Sequence, residues 1–181
     1  MTGVAVVGAA ETTQLGKVPG MRQIQLHADA ALNALQDAGI SAKDIDGLAT
    51  AGSRPTDLAH YLGITPTWVD GTSVGGCSFM LHVRHAVAAL VTGQCTTVLI
   101  THGESGRSGI GRDGFGRAPA SLQGQFEAPF GPMGPPTLFT LPVLRYMKNY
   151  GMSHEQLAMV AVVQREWASK NCLLYTSDAA D

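Results

Sequence analysis

The sequence of 181 residues has few charged side chains, few cysteines and no long apolar run. Its longest uninterrupted apolar run, from Leu157 to Val163, is far shorter than the roughly 20 residues that span a bilayer, so we expect no membrane segment. Twelve basic and fourteen acidic side chains are scattered without blocks, which gives no electrostatic surface for nucleic acid. The first strand-like segment is not preceded by a basic residue, which argues against a secretory signal and favours a cytoplasmic protein.

Apolar residues make up 45% of the chain, which is typical of a globular domain. Segments with strand-like and helix-like patterns alternate from the start, and this alternation predicts an α/β fold with helices packed on a sheet. Strands are predicted at 3–8, 48–51, 67–70 and 96–101. Helices are predicted at 22–38, from Pro55, over about four turns after Cys77, at 138–150 and after Ser153, which has the spacing of a capping box with Gln156.

The segment 103–136 has a different composition, with nine glycines and five prolines in 34 residues. We expect no regular element in it. Irregular loops of this length are uncommon inside compact domains and often form lids or binding loops, so this insertion is predicted to shape a ligand site.

The last ten residues, 172–181, can be encoded by a nucleotide string that resembles a transposase-type sequencing adapter. We therefore expect them to be non-native and take 1–171 as the natural part of the chain. Without Asp178 and Asp181 the chain has twelve acidic and twelve basic side chains, and its cysteines are Cys77 and Cys95. Two cysteines do not make a disulfide framework, but either could be reactive.

Cys77 is the main candidate for chemistry. It stands at the start of a predicted helix, after Gly75 and Gly76, where the helix dipole and unpaired N–H groups favour a thiolate nucleophile. The alternative is a small cysteine that packs at a crowded helix start. Cys95 lies in a turn without such a setting and is expected to be structural.

Three histidines are weighed as further candidates. His82 and His85 follow Cys77 by five and eight positions, so helical periodicity places neither directly above it, and we expect them to interrupt a buried helix. His102 precedes Glu104 at the end of the predicted strand 96–101, where open α/β sheets bind ligands. It is a candidate acid–base or substrate-contacting group, although a loop histidine held by backbone contacts is the alternative. No spacing of Cys or His suggests a metal site.

Taken in order, these motifs resemble the N-terminal half of the thiolase superfamily, in its sterol-carrier-protein-like or lipid-transfer-like branch. The resemblance covers nearly all of 1–171. It is carried by Val4-Ala5-Val6-Val7-Gly8, Ala38-Gly39-Ile40, Asp44-Ile45-Asp46-Gly47, Gly75-Gly76-Cys77-Ser78, Thr92-Gly93, His102-Gly103-Glu104-Ser105, and the segments 145–152 and 161–165.

The resemblance implies a thiolase-like layered fold, a mixed sheet with helices on both faces, of which this chain is the N-terminal half of a duplicated, truncated architecture. It implies an acyl-CoA thioester as substrate, no bound cofactor, and a homodimer in the full-length protein. It also implies a missing half that carries a Gly-His-Pro histidine and a second cysteine. In the family, the cysteine at the start of the buried helix is acylated by substrate, a role that Cys77 would take here.

Two departures from the family pattern keep alternatives open. Ungapped alignment on Thr92-Gly93 and Glu104-Ser105 places Gly76, not Cys77, at the nucleophile position, and the Cys-x-x-Gly pattern is absent. The main hypothesis is a thiolase-like acyltransferase that forms an acyl-enzyme on Cys77. The alternatives are an aldolase-type lyase without a cysteine nucleophile, a class that often has a small OB-fold partner, and a non-catalytic acyl-CoA- or lipid-binding subunit.

The pattern of apolar residues also predicts which surfaces are buried and which are left open. The helix after Cys77 is apolar on nearly every face, which predicts that it lies between two layers. The chain supplies only one such layer, so we expect an open apolar face near Val98 and Ile100 or on the last helix.

Overall fold

The computed structural model describes residues 3–111, 119–131 and 135–171. They form two compact units, Met1–Arg112 and Asp113–Asp181. The first unit contains a parallel sheet and carries the candidate site. The prediction for 172–181 lies outside the described residues.

The sheet of the first unit has three strands, β1 (Gly47–Ala51), β2 (Trp68–Asp70) and β3 (Val98–His102), in the order β2-β1-β3. Both pairs are parallel, with Gly47 of β1 opposite Trp68 of β2 and Val98 of β3. The α/β prediction is confirmed. The resemblance implied a mixed sheet, whereas the described strands form a parallel one; an antiparallel bridge between Ser105 and Ile110 lies outside it.

Three helices cover this sheet: α1 (Gln23–Ala38), α2 (Pro55–Leu62) and α3 (Ser78–Val91). The chain moves from β1 outward to β2 and then back past β1 to β3, and right-handed crossovers in opposite directions place α2 and α3 on opposite faces. Leu48 and Leu99 point to α1 and α2, where the apolar core lies. Every residue of β1 is buried, as expected of a central parallel strand.

Local sequence explains the boundaries of α1. The helix buries Leu26, Ala31 and Leu35 at helical spacing, and it begins after Arg22, whose N–H donates to the Gln25 side chain at 2.7 Å. It ends at Gly39, whose φ of 68° is a left-handed conformation that costs glycine little. The predicted helix 22–38 is confirmed.

The predicted first strand, 3–8, is wrong. The segment has no regular secondary structure and pairs with no described strand, and Val6 is 83% exposed. It runs along α1 instead, where the Ala9 N–H donates to the Asp37 carboxylate at 2.9 Å, and the α-carbon of Gly8 faces the Ala34 carbonyl and Ala38. A β-branched run becomes a strand only where a neighbouring strand accepts its hydrogen bonds.

Among the described residues, helix α3 is buried on one face only, so this chain supplies one of the two layers predicted around the helix. Its buried side chains, Ser78, His82, Ala86 and Ala89, face the sheet. A second stripe is exposed, formed by Met80, Val83, Val87 and Val91.

The second unit contains α4 (Leu122–Phe126), α5 (Pro135–Tyr150) and α6 (His154–Ala168). Ser153 and Gln156 form the predicted capping box of α6. This helix exposes several apolar side chains, as expected for the last helix: Met159, Val160, Val162, Val163 and Trp167. By contrast, Val98 and Ile100 of β3 are half-buried.

The expectation that 103–136 lacks regular structure is wrong in part. Gly106–Ser108 and Ala128–Phe130 form 3-10 turns, and α4 lies between them. The Ser121 hydroxyl accepts from the Gly124 N–H at 2.9 Å, a local cap that offsets the glycine content of this short helix. Residues 112–118 and 132–134 of the insertion lie outside the described residues.

Candidate active site

The carboxyl ends of β1, β2 and β3 meet at one edge of the parallel sheet. Helix α3 begins at this edge because the connection from β2 leads directly into it. His102 is the last residue of β3 and reaches the same edge. Open α/β sheets bind ligands at this position, and the fold brings Cys77 and His102, the two chemical candidates, to it from distant parts of the sequence.

Cys77 is exposed and precedes the first residue of α3 as its N-cap. Its Sγ lies 3.8 Å from the Val74 carbonyl oxygen. Packing at a crowded helix start, the structural alternative for this cysteine, does not describe an exposed side chain. Whether Cys77 is a nucleophile stays a prediction.

Gly75 and Gly76 lead into Cys77. Gly75 has a φ of 84°, which a residue with a side chain rarely adopts, and a Cβ on Gly76 would have open space around it. The N–H groups of Gly76, Cys77 and Phe79 make no hydrogen bond to the described residues. Free N–H groups at the positive end of a helix dipole suit an oxygen atom that carries negative charge.

His102 contacts both α3 and the following loop. Its ring packs edge-on against Phe79, with ring centroids 4.7 Å apart, which joins β3 to the first turn of α3. His102 Nε2 lies 3.4 Å from Glu104 Oε1, and Nδ1 is buried without a hydrogen-bond partner among the described residues. An imidazole beside a carboxylate at a sheet edge can carry a proton to or from a ligand.

His27 of α1 is a second histidine at this edge, which the sequence reasoning missed as a site residue. It is fully buried, its Nδ1 is hydrogen-bonded to Thr101 Oγ1 at 2.8 Å, and its ring centroid lies 6.1 Å from that of His102. Burial, assisted by the charge of His102, lowers the pKa of His27 to about 4. The available signal was a histidine among the apolar positions of the predicted helix 22–38.

His82 and His85 point away from Cys77, as their spacing predicts. His82 Nε2 lies 2.8 Å from the Thr72 carbonyl oxygen, and His85 Nδ1 lies 2.6 Å from Asp70 Oδ2. Burial by itself would raise the pKa of Asp70, but hydrogen bonds from Thr72 and His85 lower it to about 2.

Cys95 is buried between α3 and β3. Burial and the negative charge of Asp46 raise the pKa of its thiol, which fits the structural role expected from its position. Among the described residues, no group of three or more His, Cys, Asp or Glu side chains is placed to hold a metal ion. None of the described helices is long and apolar enough to cross a membrane.

The chain is similar in sequence to several proteins whose functions are known. A steroid side-chain-cleaving aldolase from Thermomonospora curvata is 30% identical over 94% of this chain and 46% of its own length. A 17-hydroxy-3-oxo-4-pregnene-20-carboxyl-CoA lyase from Mycobacterium tuberculosis is 28% identical over 97% of the chain and 48% of its own length. An acetyl-CoA acetyltransferase from Methanocaldococcus jannaschii is 29% identical over 94% of the chain and 45% of its own length. No family model matches the chain.

Among solved structures, the Ltp2-ChsH2(DUF35) aldolase superposes with a TM-score of 0.78 at 29% identity, over 93% of this chain and 44% of that one. The chain belongs to the thiolase-like superfamily, as its motifs indicated. It spans about half the length of the curated relatives that it matches.

Proposed function

We propose that a protein containing this chain is an aldolase-type lyase, which cleaves a carbon–carbon bond in an acyl-CoA without a covalent intermediate on a cysteine. The observation that carries the proposal is the similarity, over nearly the whole chain, to an aldolase and a carboxyl-CoA lyase. The departures from the family pattern at Cys77 support it, because the ungapped alignment places Gly76 at the nucleophile position and the Cys-x-x-Gly pattern is absent.

The proposed reaction is a retro-aldol cleavage of a β-hydroxyacyl-CoA. A base removes the hydroxyl proton, a carbonyl forms at that carbon, and the bond to the α-carbon breaks. The electron pair of that bond gives the enolate of the CoA thioester, which then takes a proton at the α-carbon. The products are an aldehyde or ketone and a shortened acyl-CoA, and no oxidant or reductant is needed.

Two features of the sheet edge fit this chemistry. The free N–H groups at Gly76, Cys77 and Phe79 can hold the enolate oxygen, where negative charge develops. His102, beside Glu104, can exchange the proton with the hydroxyl group or the α-carbon. Catalytic roles for His102 and for the backbone at Gly76 are therefore part of the proposal.

The partner proposal follows the same relatives. The name of the Ltp2-ChsH2(DUF35) aldolase includes a DUF35 protein. We propose a partner of this type for the complete protein. Such a partner would take the place of the small OB-fold protein that the family resemblance implies for an aldolase-type lyase. A homodimer remains the expected assembly of the complete protein.

A second function is favoured by one observation. Cys77 is exposed at the N-terminus of a helix of 14 residues, the setting of an acyl-enzyme nucleophile, and two relatives are acetyl-CoA acetyltransferases. The acyltransferase expected from the sequence is therefore the competing hypothesis.

Substitution of Cys77 separates the two functions. The test uses the chain extended to the length of its relatives, with and without Cys77→Ala. The lyase should retain its rate of C–C cleavage within about threefold, whereas loss of a nucleophile removes on the order of 10³-fold or more. Mass spectrometry of the intact protein with acyl-CoA checks for an acyl-enzyme, which would overturn the lyase proposal. Binding of acyl-CoA without turnover by either protein would instead support a non-catalytic subunit.

A further inference from the structure

A polar stripe runs along α3 on the face that meets the sheet. It consists of Ser78, His82 and His85, spaced by four and three residues, so the side chains lie one above another on the helix. Ser78 and His82 are fully buried, which is unusual for side chains that must satisfy their polar atoms without water.

The first two members of the stripe bind the segment that leads into their own helix. The Ser78 hydroxyl accepts from the Val74 N–H at 3.0 Å and donates to the Gly75 carbonyl at 2.6 Å. His82 Nε2 contacts the Thr72 carbonyl oxygen at 2.8 Å. A carbonyl oxygen only accepts, so Nε2 of His82 carries the hydrogen and donates it.

The third member fixes the beginning of the same segment. His85 Nδ1 donates to Asp70 Oδ2 at 2.6 Å, and the other carboxylate oxygen of Asp70 accepts from the N–H and hydroxyl groups of Thr72 at 2.8 and 2.6 Å. Residues 70–75 of the connection that leads from β2 to Cys77 are thus held at their beginning, middle and end by side chains of the helix that follows.

This connection would be poorly ordered without those bonds. It contains Gly71, Gly75 and Gly76, and glycine loses more backbone entropy on ordering than any other residue. The connection also ends at Cys77, so its conformation decides where the thiol and the free N–H groups of the helix start lie.

We propose that His82 is a positioning residue of the site: its hydrogen bond to Thr72 holds the connection 71–77 in the conformation that presents Cys77 and the free N–H groups. The chemical purpose of this geometry rests on the proposed function, but the positioning itself does not. His82 contacts neither substrate nor reacting atoms in this role.

His82 can be replaced so that only the donor changes. The Nδ1 atom of His82 is buried and has no hydrogen-bond partner among the described residues, so only Nε2 needs to be reproduced. Glutamine can place an amide N–H near the position of Nε2, whereas leucine has similar bulk and no donor. His60→Leu is the matched control, because His60 is an exposed histidine on α2.

The experiment compares the present chain with His82→Leu, His82→Gln and His60→Leu by hydrogen–deuterium exchange of the peptide covering 71–77. We expect exchange about fivefold to tenfold faster in His82→Leu, the size expected for one lost hydrogen bond, and near-normal exchange in the other two variants. The alkylation rate of Cys77, followed by peptide mass spectrometry, should change in His82→Leu and recover in His82→Gln.

Two results would overturn the proposal: unchanged exchange of 71–77 in His82→Leu, or exchange in His82→Gln as fast as in His82→Leu. Urea denaturation of each variant separates local loosening from global destabilisation. If His82→Leu does not fold, His82→Asn takes its place, since its amide is too short to reach the Thr72 carbonyl.

The extended protein tests whether positioning matters for the reaction. In the extended protein, His82→Leu should lower kcat/KM of C–C cleavage by up to about tenfold, and His82→Gln should restore kcat/KM. Normal kcat/KM in His82→Leu would show that the positioning does not serve the site. Absence of lyase activity in the unsubstituted protein would reject the proposed function and leave the exchange result to decide the positioning role.

Discussion

His27 Nδ1 and Thr101 Oγ1 share a buried hydrogen bond of 2.8 Å between α1 and the end of β3. This bond joins residues 74 positions apart and places a titratable ring next to His102, the proposed proton carrier. The edge of the sheet that carries the site is therefore tied to the core of the domain through a histidine with a lowered pKa.

The first prediction concerns acid stability. Because the pKa of His27 is about 4 when folded and 6.5 when unfolded, the unfolded chain binds the proton more readily as the pH falls. The free energy of unfolding should be unaffected by His27 above about pH 6.5, fall by about 2 kcal/mol on going to pH 5, and level off below about pH 4.

His27→Asn tests this sign, because its amide can replace Nδ1 in the bond to Thr101 but does not titrate. Urea denaturation at pH 7.5 and pH 5 measures the decrease in the free energy of unfolding. The decrease should be much smaller in His27→Asn than in the unsubstituted chain, whereas His60→Asn, on the exposed face of α2, should show the full decrease. An equal decrease in all three proteins would contradict the assignment of the titrating group.

The second prediction concerns the close approach at Gly103. A Cβ on this residue would lie 2.8 Å from both Cδ2 and the backbone nitrogen of His27. Gly103→Ala should therefore destabilise the chain by about 1–3 kcal/mol through overpacking. Gly20→Ala is the control, because a Cβ there meets nothing within 4 Å. Thermal unfolding measures both, and equal midpoints would refute the packing described for the histidine.

The third prediction concerns Asp46, which joins the start of β1 to the start of β3. Its carboxylate accepts from the N–H groups of Thr96 and Thr97 at 2.8–2.9 Å and from the Thr96 hydroxyl at 2.8 Å. Although burial tends to raise the pKa of Asp46, these bonds lower it overall. The stability from this group is thus present above the unfolded pKa and lost as the pH falls through the lower folded value.

Asp46→Ala should cost about 1–3 kcal/mol near neutral pH, because the N–H groups of Thr96 and Thr97 lose a charged acceptor. Asp57→Ala removes only an ion pair with Arg54 whose partners are 79% and 46% exposed, and it should cost less than about 1 kcal/mol. Chemical denaturation measures the free energy of unfolding of both variants. A loss in Asp57→Ala as large as that in Asp46→Ala would contradict this prediction.

The fourth prediction concerns thiol reactivity. Cys77 is exposed, whereas Cys95 is buried with a raised pKa, so Cys77 should react with iodoacetamide at least about tenfold faster near neutral pH. Peptide mass spectrometry resolves the two sites, and the urea-unfolded chain, in which both should react alike, is the control. Equal rates in the folded chain would contradict the burial of Cys95.

Elements specified by local sequence were predictable, but contacts across the sheet were not. The helix 22–38 could be read from its apolar spacing and from Gly39, and the capping box from Ser153 and Gln156. The strand at 3–8 failed because pairing depends on a neighbour that the sequence pattern does not reveal.

The site was predictable in its position and not in its details. Cys77 and His102 could be assigned to the ends of a helix and a strand, but the contact of Phe79 with His102 depends on tertiary packing. The stripe of Ser78, His82 and His85 did have a signal, since its spacing is helical. Its partners, Thr72 and Asp70, lie in a connection whose path only the folded chain defines.

The strand order β2-β1-β3 has a consequence for how this unit folds. The pairing of β1 with β2 joins only three residue pairs, too few for a stable ladder in water, and the five-pair ladder with β3 closes a loop of about 50 residues. The central strand therefore gains its second neighbour only when the chain is complete to His102. High contact order of this kind makes folding slow and concerted, so during synthesis residues 3–111 should remain susceptible to proteases until the third strand has left the ribosome.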